Sequence, residues 1–451
     1  MKKLLCTVLS TVFAISSAAA LNMSAYADST NTQQVSYNYW YNSSTGYTDE
    51  NVHTRQMEKL DRGLIAIKTD GGVYLSWRLF DSEDNIFGSA DKNVSFNVYR
   101  DGKKISEVAT KTNYVDSTIG TNYSVAPVMN GVEGDKCDAV TVNENSYFDI
   151  PLSKPDDETI YDPSGNELAT YSFFPADCST GDVDGDGEYE IIVKWTSSEH
   201  DVGSPGDPAY SGTVHLAAYK LDGTKLWKND IALGKNVYSS AHTLQFLVYD
   251  FDGDGKSEVM CQTSLGSKDG QGKYVSNAAQ TDEEIKAITD EENSTADYRG
   301  YGRITEGKEF LTVFNGETGV AMDTINLPTT RGSENGVDYG DDFGNRSNRF
   351  VSDIAYLDGE KPYAIYLRGY YFGRNGKQRT SIAGISWDGT SLSPTYRFDT
   401  QKGQEGYYDG AYQYVGNGNH NCTVADVDND GKDEFITGAL CMEVNDDNEF
   451  R

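Results

Sequence analysis

The sequence predicts an all-β protein, and the glycine content and the hydrophobic pattern are the observations behind that prediction. The chain has 45 glycines among 451 residues, and apolar residues with helical spacing rarely extend over long stretches. Both features are typical of short strands joined by tight turns. Hydrophobic residues make up 37% of the chain and aromatic residues 12%, which indicates a packed core rather than a disordered chain. The length allows two or three domains.

The chain is strongly acidic, which restricts the partners that it can bind. Asp and Glu number 70 and Lys and Arg number 38, so the formal net charge is −32. Such a surface repels nucleic-acid backbones and anionic lipid. We therefore expect neither a nucleic-acid partner nor a membrane partner.

Residues 1–27 have the three parts of a secretory signal peptide. Lys2 and Lys3 form a basic start, an apolar run follows, and Ala25-Tyr26-Ala27 has the small-residue pattern of a cleavage site. A membrane anchor is the alternative, but the apolar run is short and lacks a stop-transfer flank. The sequence thus predicts a secreted, extracellular protein with a polar linker at residues 28–52. The later cysteines are scattered, so neither a zinc site nor a disulfide framework is expected.

Residues 53–150 are predicted to form a small, fibronectin-like β-sandwich. Turns at Asp101-Gly102 and Asn130-Gly131 separate short apolar runs, and this alternation of strands and turns is typical of a sandwich. The predicted strands are residues 64–67, 73–79, 95–100, 113–116 and 123–129.

Residues 151–451 repeat a unit made of an acidic loop and a strand-turn-strand hairpin. The acidic segments are GDVDGDGEYEIIVKW, YDFDGDGKSEVMCQT and ADVDNDGKDEFITGA, which begin at residues 181, 249 and 425, with a degenerate copy, SDIAYLDGEKPYAIYLRG, at residue 352. Repeated four-strand units joined by polar turns predict a β-propeller. One helix is expected in an insertion at residues 281–292. We expect further blades beyond Arg451, because a propeller must close to protect its edge strands.

The spacing D-x-D-[GN]-D-G-x-x-E predicts an oxygen cage for a hard divalent cation, with calcium as the expected ion. Acids at positions 1, 3 and 5, the carbonyl at position 7 and the Glu at position 9 supply the ligands, and the Gly at position 6 permits a sharp turn. The alternative is an acidic turn without metal, but three matching copies favour metal in a structural role, at the entry of a strand. The predicted ligands are Asp182, Asp184, Asp186, Glu188 and Glu190 in loop 1, Asp250, Asp252, Asp254, Lys256 and Glu258 in loop 2, and Asp426, Asp428, Asp430, Lys432 and Glu434 in loop 3.

Basic and aromatic residues in the Gly- and Asn-rich loops are candidates for binding a sugar acid. Arginines pair with carboxylates and tyrosine rings stack on sugars, although the same arginines could offset the acidic surface and the tyrosines could be packing residues. The substrate-binding candidates are Arg331, Arg346, Arg349, Arg368, Tyr370 and Tyr371. His420, six residues before loop 3, is a candidate metal ligand, base or ordinary loop residue.

Several of these segments, in their order along the chain, resemble family 11 rhamnogalacturonan lyases. They include RQMEKLDRGLIAIK, VYLSWRL, FNVYRDGKKI, FGNRSNRF, RGYY and GNGNHNC together with the acidic loops. The resemblance extends from Arg55 to Arg451. It implies an eight-bladed β-propeller, incomplete in this sequence, with structural calcium ions. It also implies cleavage of the rhamnose–galacturonate backbone of rhamnogalacturonan I, a pectin, by β-elimination.

The resemblance further implies roles for individual positions. Asp177 matches the family and fits a further calcium ligand, whereas Ala176 and Thr196 stand where the family has Asn and Asp that face the substrate. The family's candidates for the catalytic base lie beyond Arg451, so no catalytic residue is assigned. We expect a monomeric rhamnogalacturonan lyase or a piece of one. The alternative, favoured by Ala176 and Thr196, is a non-catalytic, calcium-stabilised propeller that binds pectin or a surface partner.

Overall fold

Antiparallel sheets account for the fold in the computed structural model of the chain. The structure describes residues 55–80, 83, 94–109, 111–161, 164–197, 212–234, 244–275, 283, 308–332, 334–341, 344–372, 378–445, 447 and 449–451. The predicted signal peptide and linker lie outside these residues, as does the predicted helix except for Glu283. The all-β prediction is confirmed, and no helix among the described residues is long and apolar enough to cross a bilayer.

Two sheets near the N-terminus pack across a shared core. The first consists of β1 (Ile65–Thr69), β2 (Gly72–Ser76) and β5 (Asn113–Asp116). The second consists of β3 (Val94–Arg100), β4 (Lys103–Val108), β6 (Asn122–Met129), β7 (Val132–Glu133) and β8 (Val140–Thr141). Leu75 and Trp77 on one side meet Phe96, Val98 and Val125 on the other. The predicted strands here agree with the observed ones to within a few residues. A separate two-stranded sheet follows, made of β9 (Glu158–Tyr161) and β10 (Glu167–Tyr171).

Four further sheets then follow one another along the chain, each with its strands paired in sequence order. Sheet I contains β11 (Phe173–Gly181), β12 (Glu190–Ser197), β13 (His215–Tyr219) and β14 (Ile231–Ala232). Sheet II contains β15 (Phe246–Tyr249), β16 (Glu258–Ser264), β17 (Glu309–Asn315) and β18 (Ala321–Asn326). Sheet III contains β19 (Phe350–Ala355), β20 (Tyr363–Arg368), β21 (Ser381–Trp387) and β22 (Leu392–Asp399). Sheet IV contains β23 (Thr423–Ala425), β24 (Glu434–Thr437) and β25 (Leu440–Met442).

The strand-turn-strand hairpin of the predicted repeat is present in sheets II and III, as β17–β18 and β21–β22. Between β17 and β18, the Asn315 side chain accepts the backbone N–H of Thr318 at 2.9 Å, and Gly319 has a φ of +69°, which favours glycine. This turn is also tied to sheet I, because the Trp227 indole donates to the carbonyl of Gly316 at 2.7 Å. The turn therefore sets both the strand register and the position of a neighbouring sheet.

Neighbouring sheets are joined by apolar cores. Ile192 and Leu216 of sheet I share a cluster with Val259 of sheet II, and comparable clusters join sheet II to sheet III and sheet III to sheet IV. The first strands also approach one another in succession, since β11 contacts β15, β15 contacts β19 and β19 contacts β23. Loops that leave these first strands are therefore brought to one side of the four sheets.

Candidate functional site

Each acidic loop joins the first strand of a sheet to its second strand. Loop 1 (residues 182–190) lies between β11 and β12, loop 2 (residues 250–258) between β15 and β16, and loop 3 (residues 426–434) between β23 and β24. The prediction that strands, and not helices, follow the loops is confirmed. The loops therefore lie at the entry of the second strand of sheets I, II and IV.

The aspartate at position 1 organises the backbone of its loop. The carboxylate of Asp182 is buried and accepts the N–H groups of Gly185 at 2.7 Å and Gly187 at 2.8 Å. Asp250 does the same in loop 2. Gly187, at position 6, has a φ of +92°, which only glycine adopts readily and which turns the chain back over the carboxylates.

Carboxylate oxygens converge within each loop. The described part of the chain contains three sets of three acidic residues. Within each set, every residue offers a carboxylate oxygen, and these oxygens lie within 4.8 Å of one another. The groups are Asp182, Asp184 and Glu190; Asp250, Asp252 and Asp254; and Asp426, Asp428 and Glu434. The predicted ligands at positions 1 and 3 are thus brought together in every loop. Asp186, Glu258 and Asp430 are not among the atoms grouped in this way.

The position 9 glutamates are buried beside like charges. Burial, with Asp184 and Asp186 nearby, raises the pKa of Glu190 to about 7. Burial, with Asp252 nearby, raises the pKa of Glu258 to about 9. The pKa of the corresponding residue in loop 3, Glu434, is raised to about 7, with burial the largest cause. A positive charge in each loop would counteract the rise in pKa that burial and the neighbouring carboxylates cause.

One oxygen of each position 9 glutamate is already used within its own loop. Glu190 accepts the backbone N–H of Val183 at 3.0 Å, and Glu258 accepts that of Phe251 at 3.0 Å. The atoms of the loops that remain available as metal ligands are oxygens, which suit calcium or magnesium better than a soft metal. The residues present therefore fit the predicted hard cation.

The three position 7 residues were predicted to contribute their carbonyls. Their backbone N–H groups donate to the position 5 aspartates, as from Glu188 to Asp186 at 2.9 Å and from Lys256 to Asp254 at 2.8 Å. Lys432 donates to Asp430 at 2.8 Å in loop 3. These bonds hold position 7 against the loop, while the role of its carbonyl stays a prediction.

Loop 1 differs from the other two because a lysine ammonium enters it. Lys220, from the turn after β13, places its Nζ 2.5 Å from Asp184 and 3.3 Å from Asp186. Hydrogen bonding to Asp184 is the main reason that the pKa of Lys220 is raised. Sequence reasoning missed this residue, because it belongs to a hairpin 30 residues after Glu190.

Two predicted metal ligands lie apart from the described acidic groups. The Asp177 side chain is on β11, with its carboxylate 3.7 Å from the buried Lys194 ammonium. The His420 ring packs against Tyr371 at 5.1 Å between centroids, and the two share a hydrogen bond between the Tyr371 hydroxyl and His420 Nε2. The geometry thus favours a tyrosine partner for His420 over a place in loop 3.

Part of the predicted substrate-binding set meets in a cluster with His420. The Arg346 guanidinium lies over the Tyr371 ring at 4.1 Å, and that of Arg349 lies 6.0 Å from the same ring. We call Arg346, Arg349, Tyr371 and His420 the cation–aromatic cluster. Arg349 is buried and Arg346 is partly exposed, so the guanidinium of Arg346 and the face of the Tyr371 ring are the groups that can bind a carboxylate and a sugar ring.

The other three predicted substrate-binding residues are buried, as Arg349 is. Arg368 is 0% exposed and donates to both carboxylate oxygens of Glu309, at 2.7 and 3.0 Å. Arg331 donates to the same carboxylate at 2.6 Å, and Tyr370 is 1% exposed within the core between sheets III and IV. This geometry supports structural roles for these residues, because a guanidinium held inside the protein by a buried carboxylate cannot reach a polysaccharide.

The two positions that depart from the family pattern lie on the paired strands β11 and β12. Ala176 is exposed at an irregularity in the β11–β12 pairing, between Pro175 and Asp177. Thr196 is 4% exposed and pairs with Phe174. Ala176 therefore faces solvent, whereas Thr196 does not.

Two family models match consecutive parts of the chain. The model described as the rhamnogalacturonan I lyase beta-sheet domain matches residues 55–143, and the model described as the C-terminal domain of rhamnogalacturonan lyase family 11 matches residues 147–450. A small β-domain followed by sheets with acidic loops is thus the architecture of a polysaccharide-lyase family. The chain belongs to rhamnogalacturonan lyase family 11, and the resemblance read from its motifs is confirmed.

Curated relatives and solved structures agree with this assignment. The chain is 43% identical over 393 residues to rhamnogalacturonan endolyase YesW of Bacillus subtilis, covering 86% of this chain and 56% of that protein. It is 41% identical over 396 residues to rhamnogalacturonan exolyase YesX of the same organism, covering 86% of this chain and 57% of that protein. A rhamnogalacturonan lyase of Bacillus licheniformis superposes with a TM-score of 0.70 at 42% identity, covering 87% of this chain and 60% of that one. The chain thus spans less than two thirds of the length of these relatives.

Proposed function

We propose that the chain acts in the cleavage of rhamnogalacturonan I by β-elimination. The observation that carries this proposal is the match of residues 55–143 and 147–450 to two rhamnogalacturonan lyase family models. The relatives named above are an endolyase and an exolyase, so the mode of cleavage is left open.

β-Elimination requires a base, a proton for the leaving oxygen and positive charge near the galacturonate carboxylate. A base removes the proton from C5 of the galacturonate, the electron pair forms the C4–C5 double bond, and the bond from C4 to the linking oxygen breaks. That oxygen takes up a proton as the neighbouring rhamnose leaves, so no water is consumed. Positive charge near the galacturonate carboxylate makes the C5 proton easier to remove.

The cation–aromatic cluster is our candidate for holding the galacturonate. Arg346 supplies charge for the carboxylate, and the ring of Tyr371 supplies a face for the sugar. His420, which shares a hydrogen bond with Tyr371, would fix the direction of that ring. We assign no catalytic base among the described residues.

We further propose that sheets I–IV are consecutive blades of a β-propeller and that loops 1–3 bind calcium. Successive contacts between β11, β15, β19 and β23 support the radial arrangement. The converging carboxylates support the ion, whose positive charge would hold each loop closed. Secretion, proposed from residues 1–27, would bring the protein to a calcium-containing, extracellular environment.

Absorbance measurements test the lyase proposal directly. The product carries a double bond conjugated to the uronate carboxylate, which absorbs in the near ultraviolet, whereas hydrolysis makes no such product. We expect absorbance to rise on rhamnogalacturonan I and not on homogalacturonan, and Arg346→Gln to slow the rise. New reducing ends without absorbance would instead identify a hydrolase.

A non-catalytic pectin-binding protein is the second candidate. The presence of Ala176 and Thr196, where the family pattern has Asn and Asp, favours it. Binding of rhamnogalacturonan I with neither absorbance nor new reducing ends would decide for this candidate.

A further inference from the structure

The segment that precedes β1 lies along the loops of all four sheets. We call residues 55–61 the strap. The backbone N–H of Asp61 donates to the carbonyl of Gly187 in loop 1 at 3.1 Å. The Gln56 amide donates to the carbonyl of Phe251 in loop 2 at 3.1 Å. Two residues of this seven-residue segment thus contact the backbone of two predicted cation loops that are far apart in sequence.

The strap also contacts loop 3 and the degenerate loop of sheet III. The Arg55 guanidinium pairs with Asp433 of loop 3 at 2.9 Å. In sheet III, the Gln56 N–H donates to the carbonyl of Glu360 at 2.7 Å, and the Tyr356 hydroxyl donates to the carbonyl of Gln56 at 2.7 Å. Every one of sheets I–IV therefore has a loop bonded to the strap.

In each acidic loop, the strap makes a contact between side chains at the same position. Position 8 is Tyr189 in loop 1, Ser257 in loop 2 and Asp433 in loop 3. Tyr189 and Ser257 both donate to the carboxylate of Glu58, at 3.3 and 3.2 Å, and Asp433 accepts from Arg55. Position 8 is adjacent to the position 9 glutamate, so a cation that draws this glutamate inward also moves the residue that contacts the strap.

Neighbouring loops are connected through position 8 as well. The Ser257 N–H donates to the carbonyl of Asp182 in loop 1 at 2.6 Å, and the Asp433 N–H donates to the carbonyl of Tyr356 at 3.0 Å. The Tyr356 hydroxyl lies 2.8 Å from that of Tyr249, which precedes loop 2. The strap and these bonds thus form one hydrogen-bonded network across the four sheets.

We propose that the strap couples the three acidic loops, so that a divalent cation in one loop raises the affinity of the others. This inference rests on the proposed binding of calcium by the loops. Closing a loop around an ion fixes the carbonyls and position 8 groups on which the strap docks, and a docked strap holds the remaining loops in the same closed form. Such coupling is reciprocal, so calcium also strengthens the docking of the strap.

A double-mutant cycle on the full 451-residue chain tests the coupling, with calcium uptake measured by calorimetry. Asp428→Asn disables loop 3. In the chain with an intact strap, we expect this change to weaken calcium binding at loops 1 and 2 by about fivefold or more. In the Glu58→Ala background, which removes the position 8 contacts of the strap to loops 1 and 2, Asp428→Asn should change the affinity of loops 1 and 2 by clearly less. Glu58→Gln, which keeps the size of the side chain, replaces Glu58→Ala if the latter does not fold.

Lys59→Arg, which keeps the positive charge that lies beside Gly255 of loop 2, is the matched control. Lys59 is an exposed member of the strap and has no hydrogen bond or ion pair to the loops among the described contacts. Its variant should behave as the wild type in the cycle. As a second readout, calcium should slow hydrogen exchange at the N–H groups of Gln56 and Asp61, and Glu58→Ala should reduce that protection.

Three results would overturn the proposal, and they are distinguishable. If Asp428→Asn leaves loops 1 and 2 unchanged in the chain with an intact strap, the loops bind independently. If the coupling persists at full size in Glu58→Ala, the position 8 contacts of the strap do not carry it, and the proposal fails. If the wild-type chain takes up no calcium, the assignment of the loops as calcium sites fails first, whatever the lyase assay shows.

Discussion

Arg368 and Glu309 form a buried ion pair that connects sheet III to sheet II. The guanidinium, at the end of β20, donates to both oxygens of the carboxylate at the start of β17, at 2.7 and 3.0 Å. Burial alone would raise the pKa of Glu309, but Arg331 and Arg368 together lower it. The arginine of the RGYY motif therefore has a structural partner, although the motif by itself suggested contact with substrate.

Arg368→Met is expected to destabilise the fold by about 3–5 kcal/mol, because it removes one partner of a buried pair and leaves Glu309 with less compensation. Urea denaturation measures the change. Lys104→Met, which breaks the exposed Lys104–Glu107 pair at 3.0 Å, is the control and should leave the unfolding midpoint unchanged. Loss of polysaccharide affinity at unchanged stability would show instead that Arg368 contacts substrate.

Arg346→Gln is expected to weaken binding of galacturonate-containing oligosaccharides by about tenfold, since it removes a charge-assisted hydrogen bond to the carboxylate. The melting temperature should not change. Arg451→Gln is the matched control, because Arg451 also lies over a tyrosine ring, that of Tyr408, at 4.6 Å. Equal losses of affinity in both variants would contradict a specific role for the cation–aromatic cluster.

Calcium removal is expected to lower the melting temperature. At a free calcium concentration 100-fold above the dissociation constant, one site adds about 2.7 kcal/mol to the free energy of unfolding. Asp252→Ala, which removes a carboxylate of loop 2, should reduce the shift between calcium and chelator, and Asp135→Ala, at an exposed site, should not. A melting temperature that chelator does not change would rule out the structural role of the ion.

His215 predicts a specific pH dependence. Burial lowers its pKa below 6.5, and Lys225 lowers it further, against the opposing effect of Asp230 and Glu158. The unfolded chain therefore binds a proton near pH 6.5 that the folded chain does not, so this contribution to stability is present above pH 6.5 and is lost as the pH falls.

His215→Gln should make the free energy of unfolding less dependent on pH between 7.5 and 5.5 than it is in the wild type. Chemical denaturation at a series of pH values, in saturating calcium, measures the difference between the two chains. Identical pH profiles would contradict the burial of a neutral imidazole at this position.

The spacing of residues close together in the sequence was sufficient to predict the acidic loops and the hairpins. The acids of loop 1 lie within nine residues, and the turn at Asn315 and Gly319 is signalled by its own residues, so neighbours along the chain determine these features. The link between Tyr371 and His420 spans 49 residues and that between Glu58 and Ser257 spans 199. Such contacts depend on how the sheets pack, which no local pattern encodes. For the same reason, nothing in the sequence distinguished the buried Arg368 from Arg346.

Lys220 gives loop 1 a counter-charge that belongs to the chain itself. Its ammonium lies 2.5 Å from Asp184, whereas the ammonium of Lys256 in loop 2 pairs with Glu317. An ion that enters loop 1 must displace a lysine, whereas no ion pair among the described residues places an ammonium on the carboxylates of loop 2. Without calcium, the Lys220 ammonium still neutralises part of the negative charge of loop 1, while the carboxylates of loop 2 repel one another. Unfolding of the calcium-depleted protein should therefore begin at sheets II and IV, before sheet I.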